Sequence, residues 1–239
     1  MKKFFLETLF PQNCLLCQKE KFLLCLDCQK TVPLKFFPHC PACGDQEYFF
    51  EFCPACKKKN NFSLDGIFIA GFWKDPLLRK IIYLFKYDFV LEAGKILQIT
   101  LSDFVKNHQI VEQLMLNQKD IIVCPVPLHP RRLNWRGFNQ SELLAQTLAQ
   151  TLPGNLKTGV LRRVRETQPQ MSINNARGRK LNVYEAFCLE PAVKKEDFKD
   201  KVLFIADDIT TTGATLNECA KTLKKLRPKK IYGFVIAQA

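Results

Sequence analysis

The sequence predicts an α/β protein with a mainly parallel sheet flanked by helices, preceded by a small cysteine-rich module. Apolar runs with β-branched residues, typical of strands buried on both faces, alternate with helical apolar patterns over residues 62–239. Four CxxC pairs crowd the chain before them. One apolar run is followed by two adjacent aspartates and a threonine-rich turn with glycine, which predicts that this strand forms the ligand site.

A length of 239 residues fits one ordinary domain with a smaller appendage. The composition, 47% hydrophobic and 25% charged, is that of a globular chain with a sizeable core. We expect residues 1–61 to form an amphipathic start and a zinc-ribbon module, and residues 62–239 to form the main domain. The polar stretch 57–61 (KKKNN) is predicted to be the linker between them.

The net charge of +13 points to anionic partners, namely phosphorylated metabolites, nucleic acid or an acidic membrane surface. The alternative is that the excess lysine only keeps the protein soluble. Apolar runs long enough to cross a membrane are absent from the sequence. We expect a cytoplasmic protein, with peripheral contact at the inner face of the membrane as an alternative. That contact would involve an amphipathic N-terminal helix carrying Phe4, Phe5, Leu6, Leu9 and Phe10.

The CxxC pairs predict two structural zinc ions, because each two-residue gap lets both thiolates face one metal and two pairs complete a Cys₄ site. Disulfides or redox dithiols are the alternatives, and repeated pairs without an export signal favour metal. Consecutive pairing gives two small ribbons and is preferred over an interleaved cross-brace. His39 is an alternative ligand, although an exposed loop histidine is the simpler interpretation. The expected ligands are Cys14, Cys17, Cys25, Cys28, Cys40, Cys43, Cys53 and Cys56.

Apolar periodicity predicts the elements of the main domain. The expected strands are Ile67–Phe72, Asp120–Val126, Gly159–Val164, Val202–Ala206 and Ile231–Ile236. The expected helices begin at Pro76 and at about Leu91, and two more cover Ser141–Ala149 and Ala214–Leu226.

The stretch Lys201 to Thr215 (KVLFIADDITTTGAT) is the candidate ligand site. Asp207 and Asp208 can accept hydrogen bonds from vicinal hydroxyls, and Gly213 lets the backbone approach a ligand closely. The N–H groups of the turn and the start of the next helix favour an anion. The alternative is an ordinary strand followed by a capped helix, since Asp and Thr are common cap residues.

FIADDITTTGAT resembles the signature of type I phosphoribosyltransferases, whose substrate is 5-phosphoribosyl 1-pyrophosphate (PRPP), with Ala206 where Val is more usual. The resemblance implies a type I phosphoribosyltransferase-like domain. It implies that Asp207 and Asp208 hold the ribose hydroxyls and that the turn anchors the 5′-phosphate. The turn residues concerned are Thr210, Thr211, Thr212, Gly213, Ala214 and Thr215.

A basic loop follows the strand Asp120–Val126 and carries Arg131, Arg132 and Arg136. Guanidinium groups pair bidentately with phosphate, so this loop is a candidate anion clamp. A solvated basic loop is the alternative. By the same resemblance, these arginines close over the pyrophosphate, with the turn of Val126, Pro127 and Leu128 beside it and magnesium bound mostly through the substrate's oxygens.

The order of CxxC pairs, CPVPLHPRRLNWRGFNQSELLA, LRRVRETQPQMSINNARGRKLNVYEAF and the phosphoribosyl signature resembles the ComF family over essentially the whole chain. The resemblance implies a link to natural competence and single-stranded DNA uptake, with a competence helicase and DNA-processing proteins as candidate partners. Two hypotheses follow: an enzyme transferring phosphoribosyl to an unidentified acceptor, or a non-catalytic protein that binds single-stranded DNA on the same scaffold.

Overall fold

The structure, a computed structural model, describes residues 13–35, 37–88, 90–114, 120–167 and 176–239. Its helices are α1 Leu26–Gln29, α2 Pro54–Asn60, α3 Pro76–Lys86, α4 Leu91–Asn107, α5 Ile110–Gln113, α6 Pro130–Arg136, α7 Gln140–Thr151, α8 Ala176–Val183 and α9 Ala214–Leu223. Its strands are β1 Gly66–Ile69, β2 Ile121–Pro125, β3 Asn155–Leu156, β4 Leu161–Arg163, β5 Phe187–Leu189, β6 Val202–Thr210 and β7 Lys230–Gln238. The predicted N-terminal amphipathic helix lies outside the described residues.

Five strands form a parallel sheet in the order β1-β7-β6-β2-β3, and β4 pairs with β5 in a separate antiparallel ribbon. The α/β class with a mainly parallel, helix-flanked sheet is therefore confirmed. Both faces of the sheet are covered, which explains the nearly continuous apolar runs in its strands. Phe204 and Phe234 pack against α3, α4 and α7 on one face, whereas Leu203 and Ile205 pack against α9 on the other.

Two segments expected to be loops are helical. The predicted linker at 57–61 lies largely in α2, since Pro54 begins that helix and Asn61 ends it in the left-handed conformation at φ 53°. The arginine-rich loop contains α6, which starts at Pro130, uses His129 as its N-cap and ends at Gly137 with φ 79°. In both cases a proline and a left-handed terminal residue define a helix too short for apolar periodicity to reveal.

Two strand predictions need correction. Strand β6 continues past Ala206 to Thr210, because β7 supplies partners as far as the Thr210–Gln238 pair. Both aspartates therefore lie within the strand and not in a turn after it. The predicted strand at 159–164 is shorter and pairs with β5 outside the parallel sheet, while β3 takes the position next to β2.

The cysteine-rich module packs directly on the sheet domain. The rings of Phe50 and Phe68 stack with centroids 4.0 Å apart. Phe50 O lies only 2.0 Å from the position that a Cβ on residue Gly66 would take, so the two parts approach closely at this glycine. The hydroxyl of Tyr232 donates to Glu51 Oε1 at 2.6 Å. The two parts that the sequence divides near residue 61 therefore share apolar contacts, and the boundary itself stays a prediction. Among the described residues, no helix is long and apolar enough to span a bilayer.

Candidate phosphoribosyl site and cysteine clusters

The candidate site lies where the sheet changes its direction of winding. Strands β2 and β6 are neighbours, paired from Ile121–Val202 to Pro125–Ala206. The chain leaves β2 through α7 toward β3 on one side, and leaves β6 through α9 toward β7 on the other. The loops after the two strands therefore diverge and leave a crevice at their carboxyl ends, which is where open α/β sheets bind ligands.

The two aspartates at the end of β6 have different environments. Asp207 accepts hydrogen bonds at Oδ1 from the Ser141 hydroxyl and from the Asp208 N–H, both at 2.9 Å. Asp208 is 4% exposed and forms an ion pair with Lys86. The Nζ atom of Lys86 lies 2.9 Å from both Oδ1 and Oδ2 of Asp208. Among the described residues, the hydrogen-bond donors to Asp207 are thus neutral, whereas Asp208 has a charged partner.

Burial is the main reason why the pKa of Asp207 is raised, to about 6. The neighbouring Asp208 charge adds to the rise, and Lys86 and the Ser141 hydroxyl oppose it. Burial by itself lowers the pKa of Lys86, but Asp208 and Asp207 outweigh that effect and the net pKa is raised. The ammonium of Lys86 is therefore firmly protonated, and Asp207 titrates close to neutrality.

Three arginines, Arg132, Arg136 and Arg163, also line the cleft, and each donates a hydrogen bond to a neutral group. Arg132 Nη2 donates to the Thr167 carbonyl at 2.6 Å, and Arg136 Nη1 donates to Gln140 Oε1 at 2.5 Å. Arg163, 7% exposed, donates to the Thr167 hydroxyl and lies over the Phe187 ring at 5.4 Å. Because none of these three forms an ion pair with a carboxylate of the described residues, their guanidinium groups are available to an anionic ligand.

Arg131 has a different position from its neighbours on α6. Its side chain is 78% exposed and pairs with the carboxylate of Glu166. Arg132 and Arg136 line the cleft, whereas Arg131 is not among the described residues that do so. The structure thus brings together two of the three arginines predicted from the basic stretch.

The threonine-rich turn joins β6 to α9. Gly213 takes φ 73°, which favours glycine, and its N–H donates to Thr210 Oγ1 at 3.1 Å. Thr210, Thr211, Ala214 and Thr215 line the cleft. Thr212 and Gly213 complete the turn, and α9 begins directly after them at Ala214.

The cleft has a volume of about 360 Å³. Val126 and Leu128 line it from the β2 side, with Pro127 between them in the chain. Buried side-chain polar atoms without a hydrogen-bond partner in the described structure all belong to this region: Arg136 Nε, Gln140 Nε2, Arg163 Nε and Thr212 Oγ1. Unpaired buried donors are costly, so their concentration here indicates a site arranged for a ligand rich in acceptor oxygens.

Several cleft residues were missed by sequence reasoning: Lys86, Tyr87, Trp135, Gln140, Ser141, Arg163 and Ile209. The stretch RGFNQS held a usable signal, because Asn139 donates to the Val126 carbonyl at 3.0 Å while its Oδ1 caps α7. That asparagine fixes Gln140 and Ser141 at the cleft wall. Lys86 gave no signal, since a lysine ending an amphipathic helix is ordinary.

The eight predicted cysteines form two separate groups in the consecutive pairing: Cys14, Cys17, Cys25 and Cys28, and then Cys40, Cys43, Cys53 and Cys56. Within each group the sulfurs lie within 4.8 Å of one another, so each group could hold a metal ion. The N–H groups of Cys25 and Cys53 donate to Cys14 Sγ and Cys40 Sγ, both at 3.4 Å.

Backbone donors favour the thiolate form that a metal needs at the first cysteine of each group, whereas neighbouring thiols raise the pKa of Cys28 and Cys56. Burial raises the pKa of Cys14, but backbone N–H groups of Cys17, Cys25 and Leu16 outweigh it and bring the pKa to about 6. Cys40 has the same arrangement and a pKa of about 7. The donor set, four soft sulfurs converging from two turns, suits zinc.

Comparisons with known proteins show the family to which the chain belongs. Residues 138–238 match the family described as phosphoribosyl transferase domain. Competence protein F of Haemophilus influenzae is 33% identical over 216 residues, which is 90% of each chain. DNA utilization protein YhgH is 42% identical in Salmonella typhi and 40% identical in Escherichia coli K12, each over 101 residues and 42% of both chains. With a phosphoribosyltransferase domain and a relative matched over nearly its full length, the chain belongs to the ComF family.

Proposed function

We propose that this protein binds PRPP in the cleft between β2 and β6 and acts in the uptake of DNA. The observation that carries the proposal is that one cleft is lined both by a carboxylate pair and by three arginines that form no ion pair with a described carboxylate. PRPP offers vicinal hydroxyls to the former and a pyrophosphate to the latter. The names of the relatives, a competence protein and a DNA utilization protein, supply the cellular context.

Each part of the ligand has a counterpart in the cleft. The 5′-phosphate would lie on the turn from Thr211 to Thr215, where N–H groups and the start of α9 favour an anion. The ribose hydroxyls would donate to Asp207 and Asp208. The pyrophosphate oxygens would accept hydrogen bonds from the guanidinium groups of Arg132, Arg136 and Arg163. These donors include the unpaired Nε atoms of Arg136 and Arg163.

Phosphoribosyl transfer breaks the bond between the anomeric carbon and pyrophosphate while a nucleophile, usually a nitrogen, bonds to that carbon. Charge grows on the leaving pyrophosphate, and Arg132, Arg136 and Arg163, which line the cleft, would stabilise it. Carboxylates are suitable oxygen ligands for magnesium, which would supply further charge neutralisation. Because Lys86 contacts both oxygens of Asp208, magnesium would be held mainly by the oxygens of the ligand.

We further propose one structural zinc ion in each Cys₄ group. Burial of Cys14 and Cys25 together with Leu24 in the core beside α3 and α4 implies that the first ion also supports the packing of the sheet domain. The protein would act in the cytoplasm, where PRPP is made and imported DNA arrives.

PRPP binding is tested by thermal unfolding with magnesium and increasing PRPP. At a concentration of about 100 times Kd, a ligand that binds only the folded state adds about 2.7 kcal/mol of stability. Arg132→Met should remove most of this stabilisation, whereas the control Arg131→Met should retain it, because Arg131 lies in an exposed ion pair. Equal effects of the two substitutions would contradict the proposed position of the pyrophosphate. Pyrophosphate release, with and without nucleobases or DNA, then tests transfer.

A second candidate function is binding of single-stranded DNA by the rim of the same cleft. Helix α6 presents Trp135, 67% exposed, among Arg131, Arg132 and Arg136. An exposed aromatic ring amid arginines can stack a base while the cations hold phosphates. Trp135→Ala should weaken binding of a labelled oligonucleotide measured by fluorescence anisotropy. A competence helicase and DNA-processing proteins would then be the functional partners.

A further inference from the structure

We infer that Lys86 is a built-in counter-ion of the acidic pair: it supplies at Asp208 the positive charge that a divalent metal would otherwise provide. The inference takes its ligand, PRPP, from the proposed function, whereas the contact between Lys86 and Asp208 does not depend on that proposal. Lys86 would thereby let the cleft hold an anionic sugar phosphate beside two carboxylates without a metal coordinated to them.

The first support is the contact itself. Lys86 Nζ lies 2.9 Å from both oxygens of Asp208, so the ammonium is centred on the carboxylate. The side chain of Asp208 is 6% exposed and that of Lys86 is 21% exposed, so water screens the pair weakly. An ammonium in this position covers the face of the carboxylate on which a metal ion would be coordinated.

The second support is that Lys86 differs from the other cations of the cleft. Arg132, Arg136 and Arg163 donate to a carbonyl, an amide and a hydroxyl, which leave their charge uncompensated. Of the cations that line the cleft in the described structure, only Lys86 pairs with a carboxylate. The arginines are therefore available to the phosphates of the ligand, whereas the charge of Lys86 is compensated by the carboxylate of Asp208.

The third support is the way in which the lysine is held. Lys86 is the last residue of α3, a helix anchored in the core by Leu78, Ile81, Ile82 and Phe85. Its position at the carboxyl end of the helix further favours a cation. The ammonium therefore sits on a rigid element and does not depend on a mobile surface chain to reach Asp208.

Metal binding without any sugar phosphate tests the inference directly. Mn²⁺ is the probe, and its binding is followed by electron paramagnetic resonance on zinc-loaded protein. The wild type should show no Mn²⁺ site that depends on Asp208. Lys86→Met, which keeps much of the shape and removes the charge, should gain such a site, and adding Asp208→Asn should abolish it. Lys80→Met is the matched control, because Lys80 is exposed on the same helix.

Ligand binding provides the second arm. In the absence of magnesium, Lys86→Met should bind PRPP about tenfold to a hundredfold more weakly than the wild type, the range expected for loss of a charge-assisted interaction. Magnesium should restore most of that affinity in the variant and change the wild type much less. If Lys86→Met fails to fold, Lys86→Gln replaces it with the same expected results, and Lys86→Arg, which keeps the charge, should match the wild type in both arms.

The two arms separate failure of the inference from failure of the proposed function. A wild-type protein that binds Mn²⁺ at Asp208 while Lys86 is present would overturn the inference, whatever happens with PRPP. Identical magnesium dependence in the wild type and Lys86→Met would also overturn it. If PRPP fails to bind even with magnesium, the proposed ligand is wrong, and the Mn²⁺ result alone then decides the role of Lys86.

Discussion

Neutralising Asp207 should stabilise the protein while weakening PRPP binding, and neutralising the adjacent Asp208 should destabilise it. The substitutions are Asp207→Asn and Asp208→Asn, which keep the side-chain shape and remove the charge. The two residues are neighbours in β6, yet they differ in their partners. Asp207 is held only by neutral donors, whereas Asp208 is paired with Lys86.

The magnitude for Asp207 follows from its pKa, which burial and Asp208 raise from 3.8 to about 6. A rise of roughly two units corresponds to about 3 kcal/mol of destabilisation when the carboxylate is ionised. The folded state holds the proton more tightly than the unfolded state, so this cost appears as the pH rises from about 4 to about 6 and is complete above that. Above pH 7, Asp207→Asn should therefore raise Tm by roughly 6–12 °C in a protein of this size.

Asp208→Asn should have the opposite sign, because it leaves the ammonium of Lys86 buried without its anion. Breaking a buried ion pair on one side costs about 3–5 kcal/mol, and the partial exposure of Lys86 favours the lower end. Both variants should bind PRPP about tenfold to a hundredfold more weakly, since each loses a charged acceptor for a ribose hydroxyl.

The assay is thermal melting of both variants and the wild type between pH 4.5 and 8, with calorimetric titration of PRPP at pH 7.5. The increase in Tm that Asp207→Asn causes relative to the wild type should become smaller as the pH falls through 6. A lower Tm for Asp207→Asn at pH 7.5, with unchanged PRPP affinity, would refute the assignment and favour an ordinary structural role for the pair.

Three further predictions concern other parts of the molecule. Metal analysis should find two zinc ions per chain, Cys17→Ser should leave one, and Cys188→Ser, outside both groups, should leave two. Gly213→Ala should cost about 1–2 kcal/mol in thermal unfolding and weaken PRPP binding, because φ is 73° and the new Cβ would lie 3.2 Å from Ile67 Cδ1; an unchanged Tm would contradict this. Single-stranded DNA affinity should fall steeply between 50 and 200 mM salt, as expected for release of several counterions, and a flat salt response would exclude the basic surface as its cause.

The elements that the sequence predicted best are those with strong local patterns. The runs at Ile121–Pro125 and Lys230–Gln238 are buried on both faces, so their composition alone indicates strands. The cysteine grouping was also predictable, because a two-residue gap constrains where paired sulfurs can lie. Helix α6 was not, since a seven-residue polar helix has no apolar stripe and depends on its caps.

The residues of the candidate site likewise divide into those that the sequence predicted and those that it did not. The residues contributed by one continuous stretch, Asp207 to Thr215, were recognisable from their order in the chain. Lys86 and Arg163 were not, because they reach the cleft only through tertiary packing of α3 and of the β4–β5 ribbon. Sequence also could not separate Arg131 from Arg132: the difference depends on a contact with Glu166, 35 residues away.

Calorimetric titration of the wild-type protein with PRPP, ribose 5-phosphate and pyrophosphate, each with magnesium, tests the central claim most directly. The phosphate turn and the arginines line the same cleft, so we expect PRPP to engage both and each fragment to engage one of them. We predict 1:1 binding of PRPP that is at least about tenfold tighter than that of either fragment. PRPP that does not bind, or that binds no more tightly than pyrophosphate, would contradict the account.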